Sequence, residues 1–121
     1  MPTIIATTTP EIWEKAKKEG SYTNSTITSS LKEVGFIHCT TPDQVIEMVN
    51  RNFTDLSEIL LLIIDTDKLV PELRFEAALS GRPGLFPHIY GPLNINAVVR
   101  TVLLDKSNGV FSTQESLKNL E

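Results

Sequence analysis

A chain of 121 residues and 13.4 kDa is one domain's worth of protein, because a second independent domain needs roughly another 100 residues. Its 40% hydrophobic and 21% charged residues match a soluble globular protein, which excludes a disordered chain, a collagen-like repeat and a coiled coil. A net charge of -4 without a basic face makes the chain a poor general ligand for nucleic acid: the lysines at 15, 17 and 18 are flanked by Glu14 and Glu19 and read as a solvated helix face.

Thr3 to Thr7 is short and β-branched and reads as a first strand. Thr8-Thr9-Pro10-Glu11 is a helix start: a threonine cap, a proline where its missing N–H costs nothing, and an acid at the positive end of the dipole. Ile12, Trp13 and Ala16 supply the apolar stripe of that helix, and Gly20 terminates it. The Ser/Thr-rich stretch from Ser21 to Ser30 reads as a loop lying over a core or a site, with one helical turn at Ser30 to Val34 before Gly35. Phe36 to Thr40 is the second strand. Thr41-Pro42-Asp43-Gln44 predicts a second helix opened by a capping box. Ile59 to Asp65 is an apolar third strand with no polar face, so it should be central and buried on both sides; it is too short to cross a bilayer. A turn at Asp65 to Pro71 leads to a fourth strand, Leu73 to Ala77, whose Leu73, Phe75 and Ala77 should face the core. The turn cluster Ser80-Gly81-Arg82-Pro83-Gly84 follows, then a strand-like lip at Phe86 to Tyr90, placed at an edge because Pro87 cannot donate to a ladder. Ala97 to Leu104 is the last strong strand.

The order predicts an α+β fold: curved, mostly antiparallel sheet built from the strands at Phe36, Ile59, Leu73 and Ala97, with two main helices packed on it. Residues 1–104 form the single domain. Residues 105–121 form a polar C-terminal tail with a short helix at Ser112 to Leu120. The segment Met1 to Thr9 lacks the charged start and apolar run of a signal peptide, so a cytoplasmic protein is expected. The lone Cys39 cannot close an internal disulfide and is expected to be buried and inert.

Chemistry-bearing residues are few. The only histidines, His38 and His88, both sit in strand-like segments near glycine or proline. Alternation puts His38 on a face with Phe36 and Thr40, and opposite Ile37 and Cys39, which argues against a Cys-His dyad. The same rule pairs His88 with Tyr90, and Arg74 with Glu76. These side chains are expected to converge on one concave surface with Arg74 or Glu76 at its rim. His38, His88 and Glu76 are the catalytic candidates; Thr40, Arg74 and Tyr90 are the ligand-binding ones. No phosphate loop, nucleophile elbow or metal-binding spacing is present, and no metal is expected.

The strings Gly35-Phe36-Ile37-His38-Cys39-Thr40 and Leu85-Phe86-Pro87-His88-Ile89-Tyr90-Gly91-Pro92-Leu93 resemble a small bacterial family, catalogued as domain of unknown function 952. Trp13-Glu14, Gly20-Ser21-Tyr22 and Leu73-Arg74-Phe75-Glu76 support the resemblance, which runs from about Ile4 to Leu104. The chain departs from the family in a longer Ser/Thr-rich stretch after Tyr22 and in its tail. The resemblance implies a fold grouped with the ADP-ribosyltransferases. It implies NAD as a possible substrate, with no tightly bound cofactor. His38 and Thr40 would clamp a ribose, His88 or Tyr90 would fill the second strand role, and Glu76 would be the carboxylate.

Three readings are therefore open: an ADP-ribosyl transferase or glycohydrolase acting on NAD or an ADP-ribose-like ligand, a metal-free hydrolase using the histidine pair as acid and base, and a non-catalytic domain that binds a nucleotide or phosphorylated metabolite.

Overall fold

The computed structural model describes residues 3–27, 29–53, 56–77, 84–107 and 110–111. In chain order the elements are β1 (Thr3–Thr8), α1 (Pro10–Glu19), β2 (Ser21–Tyr22), α2 (Leu31–Val34), β3 (Ile37–His38), α3 (Val45–Asn52), β4 (Glu58–Asp65), β5 (Glu72–Ala77), β6 (Leu85–Tyr90), β7 (Leu93–Asn94), β8 (Val98–Ser107) and β9 (Val110–Phe111). Short 3₁₀ turns at Thr66–Lys68 and Ile95–Ala97 complete the described chain. Every strand pairing among the described residues is antiparallel, and the fold is α+β.

The helix signals act as written. The Thr9 hydroxyl accepts from the Ile12 N–H, Pro10 opens α1, and Gly20 closes it at φ 93° with its N–H on the Ala16 carbonyl. Ser30 and Glu33 cap α2 reciprocally. The start of α3 differs from the expected box. The Gln44 carboxamide oxygen does accept from the Thr41 N–H, but the Thr41 hydroxyl turns to the Asp43 carboxylate. The Gln44 N–H then bonds the Thr41 carbonyl, so residues 42–44 form a turn and the helix begins at Val45.

The strands divide into a β1-β4-β8-β9 sheet, a β3-β6-β5 sheet and a β2-β7 ribbon. The expected single sheet is thus corrected: the strands at Ile59 and Ala97 belong to the first sheet, those at Phe36 and Leu73 to the second. The cause lies just after His38. β3 pairs with β6 for only two residues, then the chain bends so that Thr40 exchanges both backbone hydrogen bonds with Ile5 of β1, each 2.8 Å. One segment therefore serves both sheets.

β4 is central and its residues alternate between two cores. Leu60, Leu62 and Ile64 meet Trp13 and Ala16 of α1, together with Ile37, Cys39 and Ile89 from the inner face of the second sheet. Ile59, Leu61 and Ile63 meet Val45 and Val49 of α3. All six residues from Ile59 to Ile64 are buried, which explains an antiparallel strand with no polar face. Tyr22 seals the first core, and burial pushes its hydroxyl up to about 12.

Two further expectations are corrected. Phe75 is 46% exposed and Ala77 is exposed with it, because the inner face of β5 extends beyond the core that Leu73 reaches. β6 is the central strand of its sheet, not a lip. It tolerates Pro87 because the Pro87 carbonyl accepts from the Cys39 N–H at 3.0 Å, on the side of β3. The missing N–H faces the same way, past the end of β3, and breaks no rung to β5. At the other end of the chain β8 runs on past Leu104 to Ser107 and pairs with β9. The turn cluster at 80–83 and the helix expected at Ser112 to Leu120 lie outside the described residues. No described helix is long and apolar enough to cross a membrane.

Candidate functional site

The outer face of the second sheet gathers the chemistry. The β3–β6 register sets His38 directly opposite His88, and the β5–β6 register sets Arg74 opposite His88, with Glu76 on its diagonal and Glu72 opposite Tyr90. The two imidazole centroids are 5.5 Å apart and nearly edge to face. That spacing is within the span of one small molecule.

His88 is 2% exposed, with Phe36 stacked on its ring at 4.0 Å. Its Nδ1 lies 2.8 Å from Glu76 Oε1, and the same carboxylate oxygen accepts from the Tyr90 hydroxyl at 2.5 Å. Those bonds, from Tyr90 first and His88 second, hold the Glu76 carboxyl below the usual carboxylate range. Accepting Tyr90's proton in turn pushes the Tyr90 phenol up. His38 is half-buried, with Nδ1 2.8 Å from the Ser25 hydroxyl. Burial, and then the neighbouring His88, hold His38 below the usual histidine value, so its ring is neutral at pH 7. The two facing imidazoles therefore have different partners: a carboxylate on the Nδ1 of His88 and a hydroxyl on the Nδ1 of His38.

Arg74 marks the rim. Its guanidinium is held by both carboxylate oxygens of Glu72, at 2.8 and 3.2 Å, and lies 4.4 Å from the Tyr90 ring centroid. The arginine thus pairs with Glu72, not with Glu76. Thr40 does not reach the cluster. It is 3% exposed and its hydroxyl faces the Ile5 carbonyl at 3.4 Å, because the bend after His38 ends the alternation that would have put it beside the histidine. Cys39 lies in the core, on the face opposite His38, and burial pushes its thiol up.

Ser25, Glu72 and the stacking role of Phe36 were not among the expected site residues. Phe36 was legible as a companion of His38 on one face. Ser25 carried no signal beyond its place in a polar loop, since its partner is fixed by a backbone bond from the His38 N–H to the Ser25 carbonyl at 3.1 Å. Among the described residues, no group of His, Cys, Asp and Glu side chains is arranged to hold a metal ion. A separate groove of about 240 Å³ between α1 and the segment after it is lined by Lys15, Glu19, Thr23 and Asn24, among others, and includes none of the clustered side chains.

The chain is similar to protein CC0527 from Caulobacter crescentus. The crystal structure of that protein has 27% sequence identity and a TM-score of 0.78, covering 96% of this chain and 98% of that one. Its solution NMR structure has 26% identity and a TM-score of 0.77, with both chains covered completely. No curated protein matches the sequence. Residues 7–101 match the family described as a protein of unknown function, DUF952, and the chain belongs to that family.

Proposed function

We propose that this domain carries out acid-base chemistry on a small ribose- or phosphate-bearing ligand, with His38 and His88 as the proton-handling pair. The observation that carries the reading is the pair itself: two imidazoles in register, 5.5 Å apart, one anchored on Glu76 and the other neutral beside Ser25. A carboxylate on Nδ1 orients the ring and leaves Nε2 as its accepting nitrogen, where a proton taken up faces compensating charge. Positioned acids and bases of this kind typically contribute 10²–10⁴-fold in rate. Glu76 is an orienting group in this arrangement, Tyr90 holds Glu76, and Arg74 with Glu72 shapes the rim. The substrate is a small molecule, and the domain acts on it as a hydrolase.

NAD and ADP-ribose are the first candidates, and a transferase or glycohydrolase acting on them is the second reading. The Tyr90–Glu76 pair beside the histidines favours it, since a carboxylate near an oxocarbenium-like centre stabilises charge. Burial of the Thr40 hydroxyl weighs against it, because the expected ribose clamp loses one of its two members.

Calorimetric titration with NAD, ADP-ribose and nicotinamide, followed by turnover assays on these and on a generic phosphodiester and ester, tests both. Turnover with a bell-shaped pH-rate profile, lost in His38→Ala, supports the acid-base reading. Release of nicotinamide from NAD selects the second. Tight binding with no turnover of any substrate overturns both and leaves a binding domain.

A further inference from the structure

The two facing rings are anchored through the same atom, Nδ1, but by partners of different chemistry. Glu76 is held in its ionised form, and a carboxylate only accepts. In the neutral ring the proton of His88 therefore sits on Nδ1, and Nε2 carries the lone pair. Ser25 is different, since a hydroxyl can give or take. It is 3% exposed, and among the described residues the hydrogen-bond partner of its side-chain oxygen is His38 Nδ1. A buried hydroxyl proton without an acceptor is costly, so it belongs on the imidazole nitrogen. Ser25 is also a fixed post. Its N–H donates to the Ser29 carbonyl at 2.8 Å, its carbonyl accepts from the His38 N–H, and Leu31 N–H closes the segment on the Thr23 carbonyl at 2.8 Å.

We propose that Ser25 donates to His38 Nδ1 and locks His38 as the Nε2–H tautomer, so that the two histidines stand in opposite tautomers. Ser25 is then a positioning residue. His38 presents a hydrogen-bond donor and His88 an acceptor, 5.5 Å apart between ring centres. The ligand this selects has an oxygen that accepts from His38 Nε2–H beside a hydroxyl or a bound water that gives its proton to His88 Nε2. A ligand offering only acceptors satisfies one ring and not the other. The direction of proton flow rests on the proposed acid-base function; the tautomers do not.

Long-range proton–nitrogen NMR correlation of uniformly ¹⁵N-labelled protein reads both rings directly. The chain has two histidines, so two ring systems appear, assigned by His38→Asn and His88→Asn. Above the histidine titration range, His38 should show a protonated Nε2 and a bare Nδ1, and His88 the reverse. Ser25→Ala should move the His38 nitrogens toward the averaged shifts of a free neutral imidazole and leave His88 unmoved. Ser25→Thr, which keeps the hydroxyl, should restore the single tautomer. A protonated Nδ1 on wild-type His38, averaged shifts in the wild type, or an unchanged His38 in Ser25→Ala overturns the proposal. If Ser25→Ala does not fold, the wild-type spectrum decides alone. Opposite tautomers in a protein that turns over no substrate would sink the proposed function and leave this inference standing.

Discussion

β4 and β6 are both central strands, and they do opposite work. Every residue of β4 from Ile59 to Ile64 is buried, divided between a core shared with α1 and one shared with α3. β6 buries Pro87 and Ile89 inward and turns Phe86, His88 and Tyr90 toward the other side. The first strand can carry no chemistry because both faces are spent on packing. The second has one face to spare, and the packing behind it fixes the side chains in front. A single proline marks the difference, since Pro87 costs β6 nothing at the end of β3 and would break a rung anywhere in the middle of β4.

If that division holds, damage to one strand should leave the other's role intact. The largest effect is expected for His88→Asn, whose amide can still reach Glu76. Turnover of whatever substrate the domain accepts should fall by roughly 10²–10⁴-fold, with the melting temperature little changed. Alanine is the poorer choice at this position, since it would empty a site closed by Phe36 and orphan the carboxylate. Equal loss of stability and activity in the asparagine variant would show that His88 is packing after all.

Leu62→Ala reverses the experiment. Deleting a fully buried leucine should cost about 2–5 kcal/mol in denaturant unfolding. The His38 and His88 ring resonances should stay in place under conditions where the variant remains folded. Displaced ring resonances would mean that the two strands are not separable.

A smaller effect sharpens the contrast through pH. His38 titrates below its ordinary value in the folded chain, so the unfolded chain takes up that proton first as pH falls. Stability is therefore full above about pH 6.5 and declines as pH drops toward the folded value. The depressed Glu76 carboxyl has the same sign: its contribution is present above the ordinary carboxylate value and lost as pH falls through the folded one. Denaturation midpoints between pH 7 and 5 should slope upward with pH in the wild type and less so in His38→Asn. An identical slope in both would remove His38 from the account.

The smallest effect belongs to Phe75→Thr. At 46% exposure this side chain should change stability by no more than about 0.5 kcal/mol, as a surface substitution does. A cost of several times that would restore Phe75 to the core its alternation suggested.

That case shows where the sequence could and could not be read. Caps and periodicity are local, so α1, its Gly20 terminator and the apolar β4 were all legible from adjacent residues. Strand alternation also grouped His38 with Phe36, and His88 with Tyr90, correctly. What alternation cannot supply is the distance a strand runs before it bends. Thr40 was lost to the site because the chain leaves one sheet for the other two residues after His38. Phe75 was misplaced because a face is apolar only as far as something covers it. Ser25 was invisible for a different reason, since a loop bond to the His38 N–H brings it thirteen residues back to its partner; Glu72, two residues from Arg74 on one strand face, was legible from alternation and passed over.

The reciprocal bonds between Ile5 and Thr40 carry a consequence for how the molecule breathes. Ile5 belongs to a strand paired with β4 along its whole length, but its N–H and carbonyl point off the outer edge of that strand, so its amide exchanges with solvent when the bridge to Thr40 opens. Thr40 shares that fate, and His38 lies two residues away on the same stretch of backbone. The histidine is thereby tethered to a strand that the central β4 holds along its whole length. Fluctuations that loosen the outer edge at β5 should leave its backbone position nearly fixed, so that the sheet buried on both faces keeps the geometry of the pair.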